Sequence, residues 1–153
     1  LDENIRRTIQ IVKLRTNFGR LAIALEQEGK HDSATAVLNR CLEVLPVEKM
    51  ALTYYDLRFV DALFACNHPK ASEIATGIFN NAYNDLLYYA GLPAPFYASN
   101  ENKRYMCMAN AQLVLETLQT YEQTELFNEL NGVLTEMYSI YSGSKNAKGL
   151  SRR

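Results

Sequence analysis

The sequence predicts an all-α fold, about six helices paired into three antiparallel hairpins. Three observations predict it. Apolar residues recur every three or four positions almost everywhere, the period of a helix with one buried face. Glycine, proline and capping residues leave only short turns between these stretches. No strand pattern of convincing length interrupts them. A single helical domain is expected over residues 1–141, with a flexible basic tail over 142–153.

In the first helix, over 3–28, Ile11, Leu14, Phe18, Leu21 and Leu25 form one stripe, and Ile5, Ile9 and Val12 an adjoining one. Gly29 reads as its stop, since glycine tolerates the left-handed backbone that ends many helices. Asp32 can cap the second helix by accepting from its free N–H groups. That helix sets Ala34, Val37, Leu38, Cys41, Leu42 and Leu45 on one face and ends at Pro46, which cannot donate the next hydrogen bond. The third, about 51–66, presents Leu52, Tyr55, Phe59, Ala62, Leu63 and Cys66. Pro69 suits the first position of the fourth, which runs to Ala90 with Gly91 as its stop. Two prolines make 91–100 a loop whose Phe96 and Tyr97 fold back onto the helices. The fifth helix covers 101–121. The sixth, 124–141, carries the widest stripe, from Leu126 to Tyr141.

Composition narrows the function classes. With 153 residues, 48% of them hydrophobic, the chain suits one domain that buries roughly 70% of its extended surface. Its net charge of −1 and high apolar fraction argue against disorder, and 7 Gly and 4 Pro exclude collagen-like and low-complexity classes. Near-neutrality is a poor basis for nucleic-acid binding, which needs phosphate neutralisation. No run of about 18 apolar residues suggests a membrane span. The polar start, Leu1-Asp2-Glu3-Asn4, is unlike a signal peptide, and the absence of an initiating Met predicts a processed protein or an excised piece of a longer one. Residues 1–20 carry a charge of +3, residues 141–153 carry +4, and the stretch between them carries −8. Basic ends on an acidic body suit a nearby anionic surface, or plain solvation of a helix face and a tail.

The first hairpin carries a recognisable spacing. Phe18, Leu21, Ala22, Leu25, Gly29, Ala34, Leu38, Cys41 and Pro46 match the order and intervals of a tetratricopeptide repeat. Ala22 and Ala34 are small where two helices cross closely, and Phe18 and Leu38 fill the space beside them. Tyr55, Phe59, Ala62, Ala71, Ala75 and Ile78 follow a similar plan, while 101–141 has lost the motif and reads as a cap. One hairpin cannot bury its apolar face alone, so the three are expected to stack as a short tetratricopeptide-like solenoid.

The stretches Asn17-Phe18-Gly19-Arg20-Leu21-Ala22, Glu28-Gly29-Lys30-His31-Asp32-Ser33-Ala34 and Val37-Leu38-Asn39-Arg40-Cys41, with the pairs Tyr54-Tyr55 and Tyr88-Tyr89, carry a further resemblance. Over residues 3–141 the chain resembles the C-terminal helical region of large many-pass membrane proteins of Bacteroidetes. That family is of unknown function, and its membrane part is similar to protein O-mannosyltransferases. The resemblance implies the soluble, periplasm-facing extension of an integral membrane protein. Catalytic residues would then lie in the membrane part, and none is carried onto this chain.

No catalytic motif is recognisable, so no catalytic, cofactor or metal residue is assigned and no activity of the domain's own is expected. His31 and His68 occupy equivalent turns and read as turn residues. Cys41 and Cys66 fall on apolar faces as core residues, and Cys107 is expected to be more exposed. In repeat proteins of this kind the first helix of each hairpin lines the concave face, which predicts Arg20, Ile23, Gln27, Asp56 and Val60 as a binding surface. Gly19 and Ile23 stand where a basic and asparagine clamp for peptide carboxylates would be, so that mode of capture is not expected. Tyr54, Tyr88 and Tyr97 offer an aromatic surface for a peptide, small molecule or glycan, with packing as the plainer reading. The expected role is interaction or scaffolding, with a protein or peptide partner or the membrane part of the same chain. The alternative is a free-standing cytoplasmic adaptor that docks a peptide.

Overall fold

The computed structural model describes the backbone of residues 3–50 and 52–149. Every regular element among them is helical: α1 (Glu3–Gln27), α2 (His31–Val44), a 3-10 turn (Tyr54–Asp56), α3 (Leu57–Ala65), α4 (Ala71–Ala90), α5 (Ala94–Ser99), α6 (Glu101–Thr120) and α7 (Thr124–Gly149). The chain divides into two compact units, Leu1–Ala75 and Thr76–Arg153.

Three turns share one design. Gly29, Asn67 and Glu122 adopt φ of 74°, 50° and 55°. The residue after each donates its N–H five residues back, Lys30 to Leu25 at 2.9 Å, His68 to Leu63 at 2.8 Å and Gln123 to Leu118 at 2.9 Å. This left-handed closure satisfies a carbonyl that the ending helix would leave free. Glycine takes it without strain, asparagine tolerates it, and glutamate carries a steric cost.

In the first unit α1 packs against α2 and α3. Its buried line runs through small and polar positions: Arg15, Gly19 and Ala22 are buried, with Ile11, Phe18 and Leu25 half-buried beside them. A methyl group added at Gly19 would lie 3.1 Å from the Ala62 Cβ and 3.6 Å from the Phe59 ring. Ala22, Ala34, Leu38 and Cys41 are fully buried. Close approach at Gly19 and Ala22 leaves no room for longer side chains. Leu14 and Leu21, expected in the core stripe, lie about 100° round the helix from this line and are about half exposed, at 47% and 51%.

The second unit corrects two boundaries. The expected loop over 91–100 contains α5, with Pro93 as its N-cap and Pro95 inside its first turn, where a missing N–H costs nothing. Arg104, buried in α6, donates from Nη1 to the Tyr97 carbonyl at 2.6 Å and lies 3.5 Å over the Tyr97 ring, pinning α5. α7 continues to Gly149 instead of ending at Tyr141. One glycine costs a helix only about 1 kcal/mol, and no proline follows. Residues 150–153 of the expected tail lie outside the described residues. α6 packs against α7, with Leu118, Leu130, Leu134 and Met137 buried.

These turns and contacts have measurable consequences. Glu122→Gly should raise stability by about 1 kcal/mol, and Gly29→Ala should lower it by about as much, in urea titrations. Gly19→Leu overpacks the α1–α3 contact and should cost about 1–3 kcal/mol.

Candidate functional site

The sequence-predicted binding residues do not lie on one surface. Arg20 and Gln27 are exposed on α1 and Ile23 is half-buried. Val60 is fully buried in α3, and Asp56 is buried just before it. The physical reason is that α3 is covered on nearly every side, with Phe59, Val60, Ala62, Leu63 and Phe64 all buried, and that Asp56 meets a buried partner.

Asp56 instead receives a buried cation. Arg15 Nη1 donates to Asp56 Oδ1 at 3.1 Å, and both side chains are almost fully buried. Arg15 Nη2 donates to the carbonyls of Met50 at 2.8 Å and Leu45 at 3.3 Å. Asp56 Oδ2 accepts from the Thr53 N–H at 2.8 Å and from Thr53 Oγ1 at 3.1 Å. One arginine thus ties α1 to the chain leaving α2 and to the turn entering α3. Beside this network opens a groove of about 570 Å³, lined by Arg7, Ile11, Leu14, Lys49, Met50 and Thr53 among others. Among the described residues its lining includes two cations and no carboxylate, beside the apolar Ile11, Val12, Leu14 and Met50. It fits an apolar side chain next to an anionic group better than a cation.

The aromatic residues divide as well. Tyr54 is half-buried, its ring centroid 3.9 Å from that of exposed Tyr55. Tyr88 is 65% exposed, with the Tyr89 ring edge-on at 5.2 Å, and Lys103 Nζ lies 5.2 Å from the Tyr89 ring centre. Tyr97 is buried beneath Arg104 and does not belong to a surface. Phe96 is its exposed neighbour.

All three cysteines are free and buried, including Cys107, which was expected to be more exposed. It falls on the α6 face that holds Arg104, Met108 and Ala111 in the core. Burial pushes the Cys41 thiol up to about 12 and the Cys107 thiol up to about 11, and raises Cys66 in the same direction. Such thiols stay protonated and are poor nucleophiles. His31 is exposed, its Nδ1 2.7 Å from Glu26 Oε1. His68 is buried. Its Nδ1 accepts the Lys70 N–H at 3.2 Å, so Nε2 carries the proton and donates to Asn39 Oδ1 at 3.1 Å. Burial first, and the Lys70 charge second, lower its pKa below the ordinary 6.5. Among the described residues, no three His, Cys, Asp or Glu side chains converge as a metal site. No helix among them is long and apolar enough to cross a membrane. The chain matches no family model, no curated protein and no solved structure.

Two predictions follow from these environments. Iodoacetamide at about pH 8 should leave all three thiols unlabelled in the native protein and label them after denaturation, as read by mass spectrometry. Because folded His68 takes up a proton less readily than unfolded His68, its contribution to stability is complete above pH 6.5 and is lost as the pH falls below it. The melting temperature should therefore drop between about pH 7 and pH 5, and less steeply in His68→Gln.

Proposed function

We propose that this chain is a non-catalytic interaction or scaffolding domain of tetratricopeptide type, the extension of a larger membrane protein whose membrane part is glycosyltransferase-like. The observation that carries the reading is the shared left-handed closure at Gly29, Asn67 and Glu122, the turn that a series of helical hairpins repeats. The packing of α1 on both α2 and α3, with Gly19 against Ala62 and with Ala22 and Ala34 fully buried, supports it, because successive repeat helices need small residues where they approach. The deep burial of the three thiols suits a domain that binds and does no chemistry of its own. On this reading the domain faces the periplasm and works beside its own membrane part.

A second reading is favoured by the partly apolar, cationic groove on α1: a free-standing cytoplasmic adaptor that docks an acidic or carboxylate-bearing peptide. The same groove, or the exposed Tyr88, is where a small molecule or glycan would bind if the domain took one.

The complete reading frame separates the two. Many transmembrane segments upstream of residue 1, with epitope-tag accessibility placing the domain outside the cytoplasm, are the expected result. A reading frame with no such segments overturns the appendage reading and leaves the adaptor.

A further inference from the structure

The net charge of −1 hides a strong segregation. Residues 4–25 hold five basic side chains and no acidic one, whereas residues 105–144 hold five acidic side chains and no basic one. The structure turns these runs into faces. In α1, Arg6, Lys13 and Arg20 recur every seven residues, so they line one side of the helix about 10.5 Å apart. All three are exposed, and none is in an ion pair among the described residues. Alongside them runs the line Arg7, Leu14 and Leu21, also exposed. The outer face of α1 is thus basic with an apolar seam.

The face of opposite sign lies on α7. Glu125, Glu129 and Glu136 fall within about 40° of one another around the helix axis. All three are exposed, and none is in an ion pair among the described residues. Glu136 accepts a hydrogen bond from the Tyr83 hydroxyl at 3.2 Å. Half-buried Val133 and Ile140 border the line, and Gly132 lies within it with open space above its Cα. Glu129 and Glu136 repeat the seven-residue interval of Lys13 and Arg20, so an incoming helix can meet charge with charge at the same spacing. Gly132 lets it approach closely.

We propose that the chain associates with a second copy of itself, head to tail, the basic α1 face of one copy lying on the acidic α7 face of the next. The two faces match in sign and number, share the seven-residue interval of Lys13–Arg20 and Glu129–Glu136, and each brings an apolar border that the contact would cover. The near-zero net charge removes the general repulsion that keeps strongly charged proteins apart. The contact joins different patches on the two copies, so each dimer retains one free face of each kind, and the association continues into a ring or a chain of copies. The inference rests on the reading of the domain as a binding module, and that reading has its own independent test in the full reading frame.

Sedimentation velocity at increasing protein concentration tests it. In about 0.01 M salt, where the screening length is about 30 Å, the average mass should climb above the 17.4 kDa of one copy. In about 1 M salt, where screening acts within about 3 Å, it should return to that of one copy. The triple variant Arg6→Glu/Lys13→Glu/Arg20→Glu should weaken association by about tenfold or more, as should Glu125→Lys/Glu129→Lys/Glu136→Lys. An equimolar mixture of the two should associate again, since each then offers the other two matched faces. Circular dichroism checks that both variants fold, and Lys13→Glu alone should give a smaller effect of the same sign if a triple variant does not. A single copy at every concentration in low salt overturns the proposal, as does association that ignores the reversals or a mixture that stays unassociated. Loss of binding to phosphatidylserine-containing vesicles on reversal of α1, with the unmodified chain remaining a single copy, also overturns it and assigns α1 to a membrane surface.

Discussion

The first unit depends on how one buried positive charge is satisfied. Removing a guanidinium and a carboxylate from water costs several kcal/mol each, and the cost is recovered only with close geometry and satisfied partners. Arg15 and Asp56 have the geometry and most of the partners, with Arg15 Nε buried without one. The cation reaches one carboxylate oxygen and two carbonyls, and the second carboxylate oxygen is held by Thr53. The partners lie 30 to 41 residues from Arg15, so the pair fixes the path of the whole segment between α2 and α3. That path decides where α3 begins, which residues of α3 turn inward, and that Met50 and Thr53 border the groove beside α1.

Around this polar anchor the packing is built on small side chains. Gly19 brings α3 close to α1, and Ala22 and Ala34 are fully buried on α1 and α2, which pack together. Leu14 and Leu21 lie off this buried line by helix phase, so α1 carries exposed leucines between its arginines and lysine. The apolar seam and the basic line of α1 are thus a consequence of how its inner face is packed. A domain built in this way presents a sticky, charged outer surface without opening its core, and that suits a module whose work is contact. In the second unit Arg104 plays a related part on a smaller scale, holding α5 by one carbonyl and one ring.

Much of the helical content was legible in the sequence, because the 3.6-residue period and the punctuating Gly29, Pro46 and Gly91 act locally. Ala22, Ala34 and Leu38 were also legible as buried residues, the alanines as small side chains on apolar faces and Leu38 as the larger one beside them. What was not legible was set by tertiary contact. Leu14 looks like core by hydrophobicity, and Arg15 looks like surface by charge, yet Arg15 shares the phase of Ile11, Phe18 and Ala22 and is the buried one. That phase was the available signal for it, and Asp56 as its partner was not readable across 41 residues. The misplacement of Asp56 follows from the same gap, and that of Val60 from the burial of nearly every side of α3. Tyr97 folds back onto the helices as its loop position suggested, but Phe96, expected to do the same, is exposed, and Arg104 was not readable as Tyr97's partner because it looks like a surface cation.

The most direct test of this account is a double-mutant cycle on Arg15 and Asp56, using Arg15→Met and Asp56→Asn and reading urea unfolding by circular dichroism. If the pair anchors the unit, each single change leaves a buried group without its partner and costs about 3–5 kcal/mol. The double variant should then cost much less than the sum, with a coupling of about 2 kcal/mol or more. Single costs below about 1 kcal/mol, or costs that simply add, would contradict the claim that the rest of the unit depends on this interaction.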